Sequence, residues 1–299
     1  MENKSPFRLV GAGQVQPKPR LVQRSWYQYV RSWPVVSIVV LAVIVFCCAA
    51  AGSLANHDPT QFYLNHLNEP PGPAFYFGTD SLGRDIYSII WYGGRLSLCI
   101  GFLGMVVSSG IGIFYGCLSG TAPAWLDNLL MRTAELISSI PSILLLLLLL
   151  AFIGTPNVVS MAVVIGITSW MNLARMVRSE VRQIRNSDYV LACRCMGGGF
   201  FRIIRCHLLP NFLPAILFMV ISSMGSTILM ESTLSFLGLG LPVELVSWGS
   251  MLSLSQRALL TNSWWVILIP GLFIIVTLIC ITNLGHYVRH TVNRNESNL

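Results

Sequence analysis

Seven leucines stand in an unbroken row from Leu144 to Leu150. A helix sheathed in leucine has no polar face to turn toward water, so its stable surroundings are lipid or a fully covered core. The row lies inside one of six long apolar runs, at 34–55 and about 94–118, 134–153, 158–177, 212–230 and 264–287. Each holds about 20 residues, and about 30 Å of helix matches the hydrocarbon thickness of a bilayer. Charged residues make up 10% of the 299, against roughly 25% in a soluble domain, too few to coat a water-soluble particle of this size. The chain therefore reads as an all-α membrane protein of six transmembrane helices.

An even number of crossings puts both termini on one side. With the termini inside, the tail cations (Lys4, Arg8, Lys18, Arg20, Arg24, Arg31), Arg132, the arginines from Arg175 to Arg205, Arg289 and Arg294 are all cytoplasmic. Only Arg84, Arg95 and Arg257 of the 19 Lys and Arg remain outside. Basic residues are retained on the cytoplasmic side, so the orientation in the cytoplasmic membrane is N-in/C-in. Residues 1–33 then form a basic tail ending in an interfacial segment from Trp26 to Trp33, and 290–299 form a second tail. Ala49-Ala50-Ala51-Gly52 resembles a signal-peptidase site, but the basic region before it is far longer than a signal peptide's. The first run reads as an uncleaved anchor. Two outer segments, 56–93 and roughly 238–262, are long enough for structure of their own. No internal repeat is evident, which gives an inverted-repeat carrier no support.

The net charge of +7 sits in blocks between apolar runs and lacks nucleic-acid-binding spacing, so no nucleic-acid partner is expected. None of the eight cysteines falls in an outer segment, and Cys193-x-Cys195 has no second pair to complete a metal site. His57 and His66, nine apart with no third ligand, read as loop histidines rather than metal ligands. No paired carboxylates or Ser/His/Asp set stands at catalytic spacing. The two lysines, Lys4 and Lys18, follow no glycine-rich phosphate loop, so the chain is expected to bind no nucleotide or other cofactor and to perform no bond chemistry.

The stretch from Tyr189 to Pro210 has a definite grammar. A short helix containing Ala192 and Cys193 passes Met196 and reaches Gly197, Gly198 and Gly199. A second short helix carries Phe200, Phe201, Arg202, Ile203 and Ile204 past His207, and Pro210 is expected to end it before the fifth run. Glycines permit a sharp turn, and small residues at 192 and 193 let another protein approach the backbone. The product is a compact helical knob on the inner face, shaped for a cleft in a soluble partner.

Leu191-Ala192-Cys193, three residues, Gly197, nine residues and His207-Leu208-Leu209-Pro210 resembles the EAA loop of ABC-importer permeases. That loop reads Glu-Ala-Ala, three residues, Gly, nine residues, Ile-x-Leu-Pro. Leu191 stands for the Glu, which the peptide-importer branch often lacks; Cys193 stands for the second Ala and His207 for the Ile. Phe77-Gly-Thr-Asp80-Ser-Leu-Gly-Arg84-Asp85 resembles the G-T-D-x-x-G-R-D segment of the C-type permease of dipeptide, oligopeptide and nickel importers. Tyr92-Gly-Gly-Arg95-Leu-Ser97, the stretch from Glu231 to Gly240, Ser247-Trp248-Gly249, Pro270-Gly271 and Asn283-Leu-Gly285 extend the likeness. His286 stands where these permeases usually carry Asp. The resemblance implies a type I ABC importer permease fold, with a core at 93–289 behind a first helix and outer segment at 34–92, and a coupling loop at 178–210. It also implies a B-type permease as heterodimer partner, two ATPase subunits carrying ATP and Mg, an extracytoplasmic substrate-binding protein and surrounding membrane lipid. The implied cargo is di- or oligopeptides, with nickel or a metal chelate as the alternative. Within the loop, Tyr189, Ala192, Cys193, Met196, Gly197, Gly198, Gly199, Arg202, His207 and Pro210 are the ATPase-coupling candidates.

Ionisable groups inside apolar runs are functional candidates. Arg132 and Glu135, three apart, form a local ion pair that anchors a helix or, in a stand-alone ion-coupled carrier or channel, part of a relay with Glu231. Glu231 either faces a translocation path or pairs with Arg95. Pro141 is expected to kink the third run, for gating or for bending alone. Gly104, Ser108, Gly112, Gly116 and Gly120 recur every four residues, a stripe for close helix packing within the subunit or against a partner permease.

Overall fold

The computed structural model describes residues 34–197, 199–242, 244–258 and 262–296. The tail 1–33 with its expected interfacial segment, and Gly198, lie outside the described residues. Regular structure among the described residues is helical, apart from one antiparallel bridge between Thr79 and Asp85.

The first apolar run forms α1 (Val35–Ala49) and, after a turn at Ala50, the short α2 (Ala51–Leu54). Fifteen residues make only about 22 Å of helix, short of a bilayer crossing. The second run forms α3 (Ile86–Thr121), 36 residues long, which starts eight residues before the apolar stretch because Asp85 caps it, accepting from the amides of Tyr87 and Ser88.

The third run was expected to be one kinked helix, and it is instead a corner. Helix α4 (Ala124–Ser138) and α5 (Ser142–Ile153) meet at 86°. Pro141 has no N–H to continue the first helix and sits at φ −52°, ψ 125°, a cap conformation that starts the second. The fourth run also bends, by 49°, between α6 (Val158–Ser169) and α7 (Met171–Ile184) at Trp170. By length and apolarity the described residues hold three helices able to cross a membrane, or five when each bent pair counts as one crossing.

After α7 come α8 (Asp188–Cys195) and α9 (Phe200–Ile203). Pro210 does not end the second short helix, contrary to expectation. A widened turn, Ile204–Leu208, leads directly into α10 (Leu209–Phe236), with the Leu209 amide bonded back to the Ile204 carbonyl. A π-type turn redirects the hydrogen bonds around a proline that cannot donate one. Helices α11 (Trp248–Ala258) and α12 (Trp265–Glu296) complete the chain.

Helix α3 is the spine, packed along α6, α7 and α10, while α10 also packs on α11 and α12, and α12 on α1. The expected small-residue stripe makes this possible. Gly104 faces Thr227 and the Ala162 carbonyl, Gly112 faces Leu173, Gly116 faces Val177 and Gly120 faces Val181, so the stripe packs within the subunit. At the α11 end, Cys48, Ile89, Ile90, Trp248 and Trp265 form one buried cluster. At the α8 end, Cys117, Val181, Val190, Ile203, Leu208 and Phe212 form another. Leu268, Leu272, Ile275 and Ile279, each more than half exposed, lie in a stripe along α12. Such an apolar band suits lipid or another helix, not water.

Candidate functional site

The knob at 188–208 is built by division of labour along two short helices. Val190, Cys193, Ile203 and Leu208 are buried and pack with Val177, Val181 and Phe212, which clamps the knob onto α7 and α10. Tyr189, Leu191, Ala192, Met196, Gly197 and Arg202 face outward, Met196 at 81% exposure. Cys193 therefore corrects one expectation: its small size serves packing inside the chain, and Ala192 alone offers a small outward surface. Gly197 ends α8 at φ +80°, a left-handed conformation that side chains with a β-carbon adopt poorly. Gly199 is exposed, with open space around its Cα. The rings of Tyr189 and His207 lie 6.0 Å apart, and Pro210 is exposed at the start of α10.

Beside the knob lies a polar cluster that sequence reading did not single out. Asp127 on α4, 1% exposed, is bound by Arg178 and Arg182 of α7 and by the Ser119 hydroxyl of α3. Arg178 and Arg182 are four apart, so both stand on one helix face. That spacing opposite a lone acid after a run without charge was the available signal. Arg132 and Glu135 do pair, at 3.2 Å, with both side chains largely exposed, as a local ion pair on α4.

Glu231 is fully buried on α10. Its Oε1 accepts hydrogen bonds from Ser247 Oγ at 2.6 Å and Ser235 Oγ at 2.8 Å. The expected pairing with Arg95 is not made. Arg95 instead donates to the carbonyls of Cys48 and Ala49 at 3.1 and 3.0 Å and lies 5.3 Å from the Tyr92 ring centroid. Each group found the nearer partner: hydroxyls around the acid, the frayed carbonyls at the end of α1 for the guanidinium. Pro141 lines a groove described below.

The segment before α3 is a clasp. Asp80 accepts from the amides of Leu82 and Arg84 and from Arg84 Nε at 2.8 Å, and both side chains are buried. Asp85 binds Ser88 and His57 as it caps α3, and the ring of His57 stacks on Phe75 at 4.9 Å, so His57 is a packed residue and not a free loop histidine. His66 Nδ1 lies 2.5 Å from Glu69 Oε2. Trp265 donates to the Thr79 carbonyl, Trp248 donates its indole N–H to the Ile90 carbonyl at 2.9 Å, and the Trp248 amide bonds Ser97. A β-carbon at Gly94 would collide with Cys48 Sγ and stand 2.6 Å from the Trp248 ring. The sequence segments that looked like separate motifs are therefore one another's packing partners. His286 lies against Phe218, centroids 4.9 Å apart.

Two adjoining cavities, about 350 and 400 Å³, open along α5, the α6–α7 bend and α10. They share Ser142, Thr168, Ser169 and Asn172, and Ser222, Ser223 and Ser226 of α10 line the larger. Among the described residues no group of three His, Cys, Asp or Glu is placed to hold a metal ion.

Residues 110–294 match the family described as binding-protein-dependent transport system inner membrane component. The chain belongs to that family. As a permease of such a system it is a multi-pass membrane protein and a transport component, not a catalytic enzyme, and membership implies further components: a second permease, an ATPase and a substrate-binding protein. The permease is 34% identical over 90% of its length to the dipeptide transport system permease protein DppC of Bacillus subtilis, covering 84% of that protein. It is 33% identical over 86% of its length to the oligopeptide transport system permease protein OppC of the same organism, again covering 84%. With the di/tripeptide transport system permease protein DppC of Pseudomonas aeruginosa it shares 34% identity over 87% of its length and 88% of the relative's. Its fold is similar to a chain of the MetNI methionine ABC transporter solved in inward-facing conformations, with a TM-score of 0.56 at 20% identity, over 68% of the permease and 97% of that chain.

Proposed function

We propose that this permease is one of two membrane subunits of an ATP-driven importer of di- or oligopeptides. It crosses the cytoplasmic membrane six times with both termini inside, and pairs with a B-type permease, two ATPase subunits and an extracytoplasmic binding protein. Its own polypeptide holds no nucleotide; ATP and Mg act on the ATPase subunits. The observation that carries the reading is the knob around Gly197. Its inner side chains are locked to α7 and α10, so force applied to Tyr189, Leu191 and Met196 reaches the transmembrane helices without slack. The peptide cargo rests on the named relatives. The six-crossing arrangement takes α1 with α2 as the first crossing and each bent pair as one, and the distribution of Lys and Arg supports the orientation.

Two measurements test it. Met196→Cys should form a cross-link to an ATPase subunit in native membranes, and a knob that touches no ATPase sinks the coupling role. ATP-dependent uptake of a labelled dipeptide by the reconstituted assembly should vanish when this subunit is omitted. Uptake by this chain alone, driven by an ion gradient, would favour a stand-alone carrier.

A further inference from the structure

We propose that the hydroxyl-lined groove between α5, the α6–α7 bend and α10 is this subunit's cargo subsite, and that Arg175 at its edge binds the C-terminal carboxylate of a passing peptide. The proposal rests on the peptide-importer reading above and adds to it the residues that meet the cargo.

The two sharply bent helix pairs among the described residues both open onto this groove. Ser142 follows the Pro141 corner, and Thr168, Ser169 and Asn172 flank the bend at Trp170. Broken helices leave backbone polar groups that lipid cannot satisfy, so breaks at membrane depth are stable where they line a wet cavity. The volumes, about 350 and 400 Å³, fall in the roughly 300–1,000 Å³ range of small-ligand clefts.

The lining chemistry selects a backbone and not a side chain. Thr168 donates its hydroxyl proton to the carbonyls of Val164 and Ile165, Ser169 to that of Ile165 at 2.7 Å, and Ser226 to that of Ser222 at 3.3 Å. With their protons committed, these oxygens offer lone pairs, which suit the N–H groups of a peptide. Neither lining contains Asp, Glu or Lys, and Arg175 is its one charge. Arg175 is exposed and held by one hydrogen bond, Nη2 to Asn172 Oδ1 at 2.7 Å, so other N–H groups of the fork are free to grip a carboxylate. Without an acidic lining residue, side chains of either charge pass while the carboxylate common to free peptides is recognised.

The test uses the whole assembly in proteoliposomes, comparing ATP-driven uptake of a labelled dipeptide with that of its C-terminal amide. Arg175→Gln should lower the acid-to-amide rate ratio at least fivefold, with Arg175→Lys restoring part of it. An unchanged ratio overturns the carboxylate assignment. In parallel, a charged, water-soluble thiosulfonate should modify Ser226→Cys at least tenfold faster than Leu229→Cys, which is exposed on the same helix, each measured against the wild-type background. Equal rates overturn the groove as a water-filled path and indicate a face covered by a partner helix. If the wild-type assembly carries no peptide, the importer reading and the carboxylate assignment fall together, and the thiol comparison still decides the groove.

Discussion

Asp127 and Arg178, 51 positions apart in the chain, are joined by two parallel hydrogen bonds of 2.5 and 2.6 Å. The fork-to-carboxylate geometry ties α4 to α7, and Ser119 adds the end of α3. Arg185 extends the tie by donating to the Gly120 carbonyl at 2.9 Å. This joint lies at the base of the helix that carries the knob.

Removing the acid leaves Arg178 and Arg182 side by side on one face of α7 without the carboxylate between them. Asp127→Ala should destabilise the subunit by about 2 kcal/mol, between the roughly 0–1 kcal/mol of an exposed pair and the roughly 3–5 kcal/mol lost on breaking a buried one, because Arg178 retains some contact with solvent. Thermal unfolding of the detergent-solubilised assembly measures it. A double-mutant cycle with Arg178→Ala should show a coupling of at least ~1 kcal/mol; additive effects would refute the joint.

Glu231 receives both of its close hydrogen bonds on one oxygen. Glutamine keeps a carbonyl oxygen in that place, so Glu231→Gln should retain most uptake, whereas Glu231→Leu strands the hydroxyls of Ser235 and Ser247 at a cost of about 1–3 kcal/mol each. Complete loss of uptake in the Gln variant with normal assembly would indicate a titrating role instead.

At Gly197 the constraint is the backbone, since nothing lies within 4 Å of an added β-carbon. Gly197→Val should strain the turn by at least ~1–2 kcal/mol and abolish uptake while leaving membrane insertion intact. Gly197→Asn, which tolerates left-handed φ, should keep a measurable fraction of the rate. Equal rates in the two variants would remove the turn from the mechanism.

In the proposed orientation, the clasp at Asp80 and Arg84 lies on the side of the membrane opposite the knob. Asp80→Ala leaves the Arg84 guanidinium buried without its ion-pair partner and frees two backbone amides, so the segment 56–85 should open. External protease on spheroplasts should then cut the variant at least tenfold faster than the wild type. Cutting only in inside-out vesicles would reverse the proposed orientation.

Parts of the site were legible in the sequence where one short stretch of chain settles the outcome. The turn at Gly197 and the exposed face of α8 follow from local spacing, and the resemblance of that spacing to an importer loop led to the right family. The partner of Glu231 was not legible, because Ser247 lies across a loop, and neither was the inward turn of Cys193, because only the packed position of Val181 defines which side of α8 is inside. The hydroxyl groove escaped notice because serines inside apolar runs look alike until two helix breaks bring them to one place.

By itself the sequence determined the solvent and the elements: apolar runs too long and too poorly charged for water must be helices in lipid, since only there are all backbone groups satisfied. The tertiary structure alone decided that the third run turns a corner at Pro141 instead of bending, and which polar groups meet. Ser97 and Trp248 bond across 151 positions of chain, and no local propensity encodes such a pairing. Helix formation is governed by neighbours along the chain; partner choice for a buried polar atom is governed by whichever groups packing brings within about 3 Å.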